Sequence, residues 1–388
     1  MFRSRPVRVV FLIGMALLLT GAARARRRAA FTLFGKEVPF AADTGSQPLA
    51  CRVAGITKLG EGSQAMWSPD GRLIFFFRPV GKTYEIFRMN ADGSGARCLT
   101  CGENLPNELR GKYKGVPNTT PAGPYLVFDA ENEHGTHRGT NTPGFGVNND
   151  FWATDYEGSR FWRLTRYPKG GVIQFPRFSA DGKRFIWSDP IARGNVFTDE
   201  AFGSWQIRIA DFTVTSGGPR LEHITALAPG GEGYYEPHGT SPDGTKVIFT
   251  GMLNPTRSQY YGEIFTYDLA TRRLTNLARA EDLHFEQAVY APSGRKISFM
   301  SGPFIGLARF AYKTDLYLMN ADGSNRVRLT HFNEPGYPES TGTHTLMNKH
   351  EWHPDGTKLL GSYYINRWGG RDEFTLFTVN FEGPCGTL

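Results

Sequence analysis

Histidines and carboxylates recur at two fixed distances ahead of a repeated turn. Seven residues before its Asp position stand Ser63, Gln174, Glu236, Glu286 and Asn348; five before it stand Ala65, Pro176, His238, Ala288 and His350. On an extended chain, side chains two apart share a side. The two rows would therefore present Gln174, Glu236, His238, Glu286 and His350 to one space. Imidazole nitrogens and carboxylate oxygens are donors for a divalent metal, with His238 and His350 as its ligands. The same set could grip a polar ligand, or move protons as acid and base. No linear motif chooses among these, because the chain has no G-x-S-x-G elbow, no phosphate-binding Gly loop and no H-E-x-x-H.

The elements that must position these residues are written in two alternating phrases. The first is "WSPDGRLIFFF" from Trp67, returning as "FSADGKRFIWS" (Phe178), "TSPDGTKVIFT" (Thr240), "YAPSGRKISFM" (Tyr290) and "WHPDGTKLLGS" (Trp352), with a degenerate "TPAGPYLVFDA" at Thr120. The second is "EIFRMNADGSGARCLT" from Glu85, echoed from Phe151, Trp205, Glu263 and Asp315, and cut short at Glu373. Pro presets φ, Asp bonds its own backbone and Gly tolerates positive φ, so each Asp-Gly is a tight turn. The flanking runs of Ile, Phe, Val, Tyr and Thr read as strands. Each repeat is then a four-stranded antiparallel unit, and six of them at this spacing predict an all-β, six-bladed β-propeller.

The sixth copy stops at "VNFEGPCGTL", where an R-x-L-T segment belongs, and a matching segment, "GITKLG" (Gly55 to Gly60), stands near the other end. The expected solution is a ring closed by an N-terminal strand completing the last blade, which removes exposed sheet edges. Closure would bring Cys51 close to Cys385, and a disulfide there is an expectation. The C-x-x-C at Cys98–Cys101 is weak ground for metal or redox work and reads more simply as structural.

S-P-D-G before an apolar strand, and M-N-A-D-G-S before R-x-L-T, resemble the TolB-type six-bladed propeller over residues 50–388. TolB carries an α/β domain ahead of its propeller, for which residues 26–49 leave no room. The resemblance thus implies a propeller of periplasmic, partner-binding character. Oligogalacturonate lyases, propellers of similar length that hold a metal through channel histidines, are matched only at His238 and His350, and by position alone. Two functions stay open: a protein- or ligand-binding module of the cell envelope, and a metal-dependent lyase or hydrolase acting on oligosaccharides.

Both Asp-Gly turns of a blade lie on one face of such a disc, and the long connections lie on the other. These include 130–150, 188–204, 251–262, 301–314, 330–349 and 362–372. Long loops gathered on one face suggest a surface for an envelope protein or a polar or glycan ligand, although tolerated insertions would look the same. The predicted ring of side chains sits at the channel mouth on that face, where polar lining is also ordinary for a wet channel. Glu131, Glu133, His134 and His137 share one long loop that could reach the mouth, or simply be solvated. Tyr234, Tyr235, Tyr260 and Tyr261 could stack on a ligand or pack between blades. His353 takes the Ser position of S-P-D-G and should cap that turn.

The leader is separate. Arg3, Arg5 and Arg8 precede eleven apolar residues, Val9 to Leu19, and an A-x-A site ends at Ala25. That predicts a secretory signal over 1–25, a linker over 26–49 and a mature chain without a transmembrane span. The basic run Arg24–Arg28 opposes translocation and keeps an uncleaved anchor open. Residues 1–28 hold seven Arg and no acid, and the whole chain carries +7, so the remainder sums to zero. That balance excludes a general attraction for nucleic acid. The mature chain is expected to be a periplasmic or secreted monomer.

Overall fold

The structure, a computed structural model, describes residues 38–388 except 138, 196, 281, 308–310 and 366–372. The expected leader and residues 26–37 of the linker lie outside the described residues. Among the described residues, no helix is long and apolar enough to cross a membrane.

Six antiparallel sheets follow one another along the chain as the blades of a propeller. From the channel outward, blade one is Ser63–Trp67, Leu73–Val80, Thr83–Asn90 and Arg97–Cys98; blade four is Tyr234–Thr240, Lys246–Met252, Glu263–Asp268 and Leu274–Ala278. The inner strands of the others are Lys114–Thr119 (two), Gln174–Phe178 (three), Leu283–Tyr290 (five) and Thr345–Trp352 (six). Blade five carries one extra short strand, Ala311–Tyr312, on its second strand. Blade six takes its outermost strand from the other end of the chain: Val53–Glu61 pairs antiparallel with Glu373–Phe381, from Val53 opposite Phe381 to Glu61 opposite Thr375. Disulfides join Cys51 to Cys385 and Cys98 to Cys101.

Middle strands lie between neighbouring blades, so both of their faces are covered and they read as unbroken apolar runs. Lys296–Gly306 is buried along its whole length. Aromatic rings fill the seams, as where Phe151 of blade two meets Phe185 of blade three edge-on at 4.9 Å.

The two phrases have separate physical jobs. In the first, Ser68 Oγ donates to Asp70 Oδ1 (2.5 Å), Asp70 accepts the Arg72 N–H (3.1 Å), and Ser68 Oγ accepts the Leu73 N–H (2.9 Å). Gly71 completes the turn at φ 71°, the left-handed region that glycine enters without cost. His353 stands in the Ser position, its Nδ1 2.6 Å from Asp355 Oδ1 and its ring edge-on to Trp67. The second phrase ties the third strand to the fourth. Thr330 Oγ1 donates to buried Asp315 (2.8 Å) and accepts the Leu316 N–H (3.0 Å), while Arg328 Nη2 donates to Asp315 (2.7 Å). Asp150 with Arg163 and Thr165 repeats this in blade two, and Glu85 with Thr100 in blade one. The Arg-Leu-Thr of blades two and five, and Leu-Thr in blade one, is therefore half of a lock whose other half is an acid near the start of the third strand.

Residues 43–47 run along the outer edge of blade five. Thr44 N–H donates to Arg326 O (2.8 Å), Arg328 N–H donates to Asp43 Oδ1 (2.9 Å), and the Arg328 guanidinium lies 3.9 Å over the Phe40 ring. This part of the expected linker is a strap that covers the two-residue outer strand Val327–Arg328.

Thr330→Val should leave Asp315 short of a donor and the Leu316 N–H unpaired, costing about 1–3 kcal/mol in urea unfolding. Replacing Cys51 and Cys385 together by Ser should cost about 2–5 kcal/mol; an unchanged urea midpoint would show that strand pairing alone closes the ring.

Candidate ligand site in the central channel

Every inner strand is interrupted by a bulge. The register slips between Ser63 and Met66, Gly115 and Asn118, Gln174 and Arg177, Pro237 and Thr240, Glu286 and Val289, and Met347 and Lys349. In four blades the residue six before the Asp position has left-handed φ: Gln64 (49°), Val116 (48°), Phe175 (55°) and Gln287 (54°). Such angles cost a non-glycine residue of order 1 kcal/mol, and bulges serve to re-aim side chains. All four residues line the channel cavity.

The bulge separates the expected ring from the observed one. Of the five predicted residues, His238 and Glu286 line the cavity. Gln174 is buried, with its amide donating to Phe145 O (2.8 Å). Glu236 is fully buried behind Gln287, which donates to it. His350 is buried against blade five, its Nε2 2.8 Å from Ser298 Oγ, and His238 Nε2 lies 2.7 Å from Thr250 Oγ1. The structure brings Glu236 and Glu286 together and packs the two histidines against different partners.

At the centre stands Arg177, unmarked in the sequence reading and 5% exposed. Its Nη2 donates to Gln287 Oε1 (3.0 Å), and its Nη1 lies 3.6 Å from Glu351 Oε2. Lys349, equally buried, donates to Asn118 Oδ1 (3.2 Å). On the opposite flank Gln64 donates to Asn348 Oδ1 (3.2 Å), and Asn348 to Ser63 Oγ (2.7 Å). One sign of the bulge was present in the sequence: Pro117, Pro176 and Pro237 sit inside inner strands, where a missing N–H marks a bulge.

Burial dominates the electrostatics. It pushes Lys349 well below the usual ammonium range, with the Arg177 charge adding to the effect. It holds Glu236 well above the usual carboxylate range, reinforced by Glu286, and lifts Asp129 to about 6. His350 is pushed down to about 3, and His238 well below its ordinary value, by burial first and then by Arg177. Both rings are neutral at physiological pH.

Neutral imidazoles suit a metal, and the Nδ1 atoms of His238 and His350 are buried without a hydrogen-bond partner. Two nitrogens are nonetheless too few for a protein-built site. Among the described residues, the one group of three or more His, Cys, Asp or Glu with ligand atoms within 4.8 Å of one another is Glu85, Cys98 and Cys101. Both of its sulfurs are in a disulfide. Among the described residues, His238 and His350 gain no third protein ligand in such a group.

The remaining candidates resolve into packing. Tyr234, Tyr235, Tyr260 and Tyr261 are all buried between blades, Tyr260 stacking on Phe304 at 4.3 Å. On the long loop of blade two, buried Glu131 holds His137 (Nδ1 to Oε2, 3.1 Å) and Glu133 pairs with Arg163 (2.6 Å).

His350 should register in acid. Its unfolded value is about 6.5, so the unfolded chain takes the proton first. The stability from keeping the ring neutral is complete above about pH 6.5 and is lost as pH falls towards 3. His350→Asn should flatten that acid limb in urea unfolding between about pH 4 and 7; an unchanged slope would show that the ring is not held neutral.

No protein-family model matches the chain, and no curated protein matches it. Similar solved structures include TolB from Acinetobacter baumannii, with 15% identity and TM-score 0.49, matched over 84% of this chain and 64% of that one. A putative TolB from Agrobacterium tumefaciens shares 17% identity at TM-score 0.47, over 71% of this chain and 87% of its own. An oligogalacturonate lyase in complex with manganese shares 12% at TM-score 0.45, over 91% and 99%. At such distances they say nothing about ligand or reaction. In its repeated phrases and its six four-stranded blades, the chain is similar to the TolB-type propeller.

Proposed function

We propose that this chain is an exported binding module that takes a small polar ligand bearing an anionic group into its central channel from the long-loop face. The observation that carries the reading is Arg177. A guanidinium buried at the centre is costly unless its charge and donors are met. Its partners among the described residues are one amide oxygen at 3.0 Å, the Met66 sulfur at 3.6 Å and a carboxylate at 3.6 Å. Lys349 adds a buried amine donor, and Gln64 and Asn348 add neutral polar groups at the same cavity. Arginine's planar fork is suited to a carboxylate. Export draws support from the Arg-flanked apolar run at residues 9–19 and from the pairing of all four cysteines, which suits an oxidising compartment.

The test is a thermal-shift panel of small carboxylates, amino acids and sugars on the full chain, repeated on Arg177→Met and Arg177→Lys. An anionic ligand should stabilise the parent chain. Arg177→Met should weaken it about 30-fold or more, since truncating one partner of a buried charge pair costs about 2–5 kcal/mol. If no anionic compound shifts the parent chain, or the shift survives in both variants, the channel reading falls and an envelope protein docking on the loop face takes its place. One divalent ion per chain by elemental analysis, lost on changing His238 and His350 to Ala, would instead favour a metal-dependent lyase or hydrolase on oligosaccharides.

A further inference from the structure

Beside the cationic centre lies an acidic corner. Glu236 of blade four and Glu286 of blade five stand on inner strands that pack side by side, and Gln287, the neighbour of Glu286, donates to Glu236, which sets the two carboxyls beside each other with Glu286 at the cavity wall. The orientation of the pair is fixed. Arg177 donates to Gln287 Oε1, so the amide nitrogen of Gln287 faces Glu236 and donates to its Oε1. Two further oxygens, Glu236 Oε2 and Glu286 Oε2, are buried and make no hydrogen bond among the described residues. The hydroxyl of Tyr234, two residues before Glu236 and fully buried, also lacks a partner. His284 Nε2 comes within 3.1 Å of Glu286 Oε2 but off the line of a hydrogen bond.

On its own, the pair is driven by burial to keep a proton on Glu236; an occupant that lets both carboxyls ionise must bring donors and positive charge of its own. A metal ion is a poor occupant. The Gly262 N–H donates to His284 Nδ1 (2.9 Å), so a neutral ring keeps its proton on Nε2. The nitrogen nearest the carboxylates therefore has no lone pair to offer. An ammonium group is compact and brings three donors of its own. Tyr312, stacked on His284 at 4.3 Å, adds an aromatic wall of the kind that accommodates cations.

We propose that Glu236 and Glu286 form a subsite for the ammonium group of the channel's ligand, which makes that ligand an amino-carboxylate zwitterion with its carboxylate on Arg177. This rests on the channel reading above and adds the second pole. Cation and carboxyl pair are bridged by a single side chain, Gln287, so the two poles of the ligand are a few bonds apart, as in an amino acid.

A matched set tests it on the full chain: β-alanine, propionate (no amine) and ethylammonium (no carboxylate), against sodium chloride at equal ionic strength. Ethylammonium should stabilise the chain where sodium does not, and β-alanine should bind about tenfold or more tighter than either fragment. Glu286→Gln should abolish the ethylammonium effect and spare propionate. Glu236→Gln is isosteric and still accepts from Gln287; it carries the same expectation should the first variant fold poorly. If ethylammonium acts no differently from sodium, or acts equally on both variants, the corner holds water only and the subsite is wrong. Propionate binding that depends on Arg177 would then still stand as the channel reading. If neither propionate nor β-alanine depends on Arg177, that reading falls with it.

Discussion

Everything in this fold hangs on one ladder, between Val53–Glu61 and Glu373–Phe381. A four-stranded blade cannot bury both faces by itself, and it does so only against two neighbours. Without the ladder, the last blade would present a bare edge, and the seam between blades six and one would lose its outer support. The channel exists only inside a complete circle, so inner strands far apart in sequence owe their meeting to this pairing. Arg177 of blade three, Gln287 of blade five and Glu351 of blade six touch because the ring is shut.

Within the ring, the chain spends polar residues where a smaller fold would spend leucine. Arg177, Lys349, Glu236, His238 and His350 are buried and Glu351 partly so, and desolvation moves each away from its ordinary ionisation. The pressures oppose one another with pH. Histidines forced neutral cost stability in acid, whereas a carboxyl forced to keep its proton costs stability as pH rises. A purely structural core would avoid both costs.

The architecture was legible because it is written six times. Asp-Gly turns recur with the same Ser–Asp bonding, and the strand missing after Glu373 had its match at Gly55–Gly60. The site was less legible for a local reason. Counting by twos along Gln174, Pro176 and Phe178, or along Glu236 and His238, assumes an unbroken strand, and one extra residue per inner strand undoes it. Arg177 and Gln287 lie on the rows that such counting assigns to the other side. The prolines at 117, 176 and 237 were the available warning. Likewise, the acid near the start of a third strand could not be paired with the Arg-Leu-Thr that follows it until the register placed Asp315 beside Thr330 and Arg328. The strap over blade five was invisible because a backbone contact such as Thr44 to Arg326 needs no particular side-chain pattern.

The Cys51–Cys385 bond spans 334 positions and so turns almost the whole chain into a covalent hoop. A single proteolytic cut in any loop of that hoop opens it without releasing a piece. The blades on either side of the break stay tethered, and their interfaces can re-form at the high local concentration that tethering provides. Against proteolysis, that is protection of a kind that packing alone does not supply. Two cuts, or one cut and a reductant, are needed before any blade can leave.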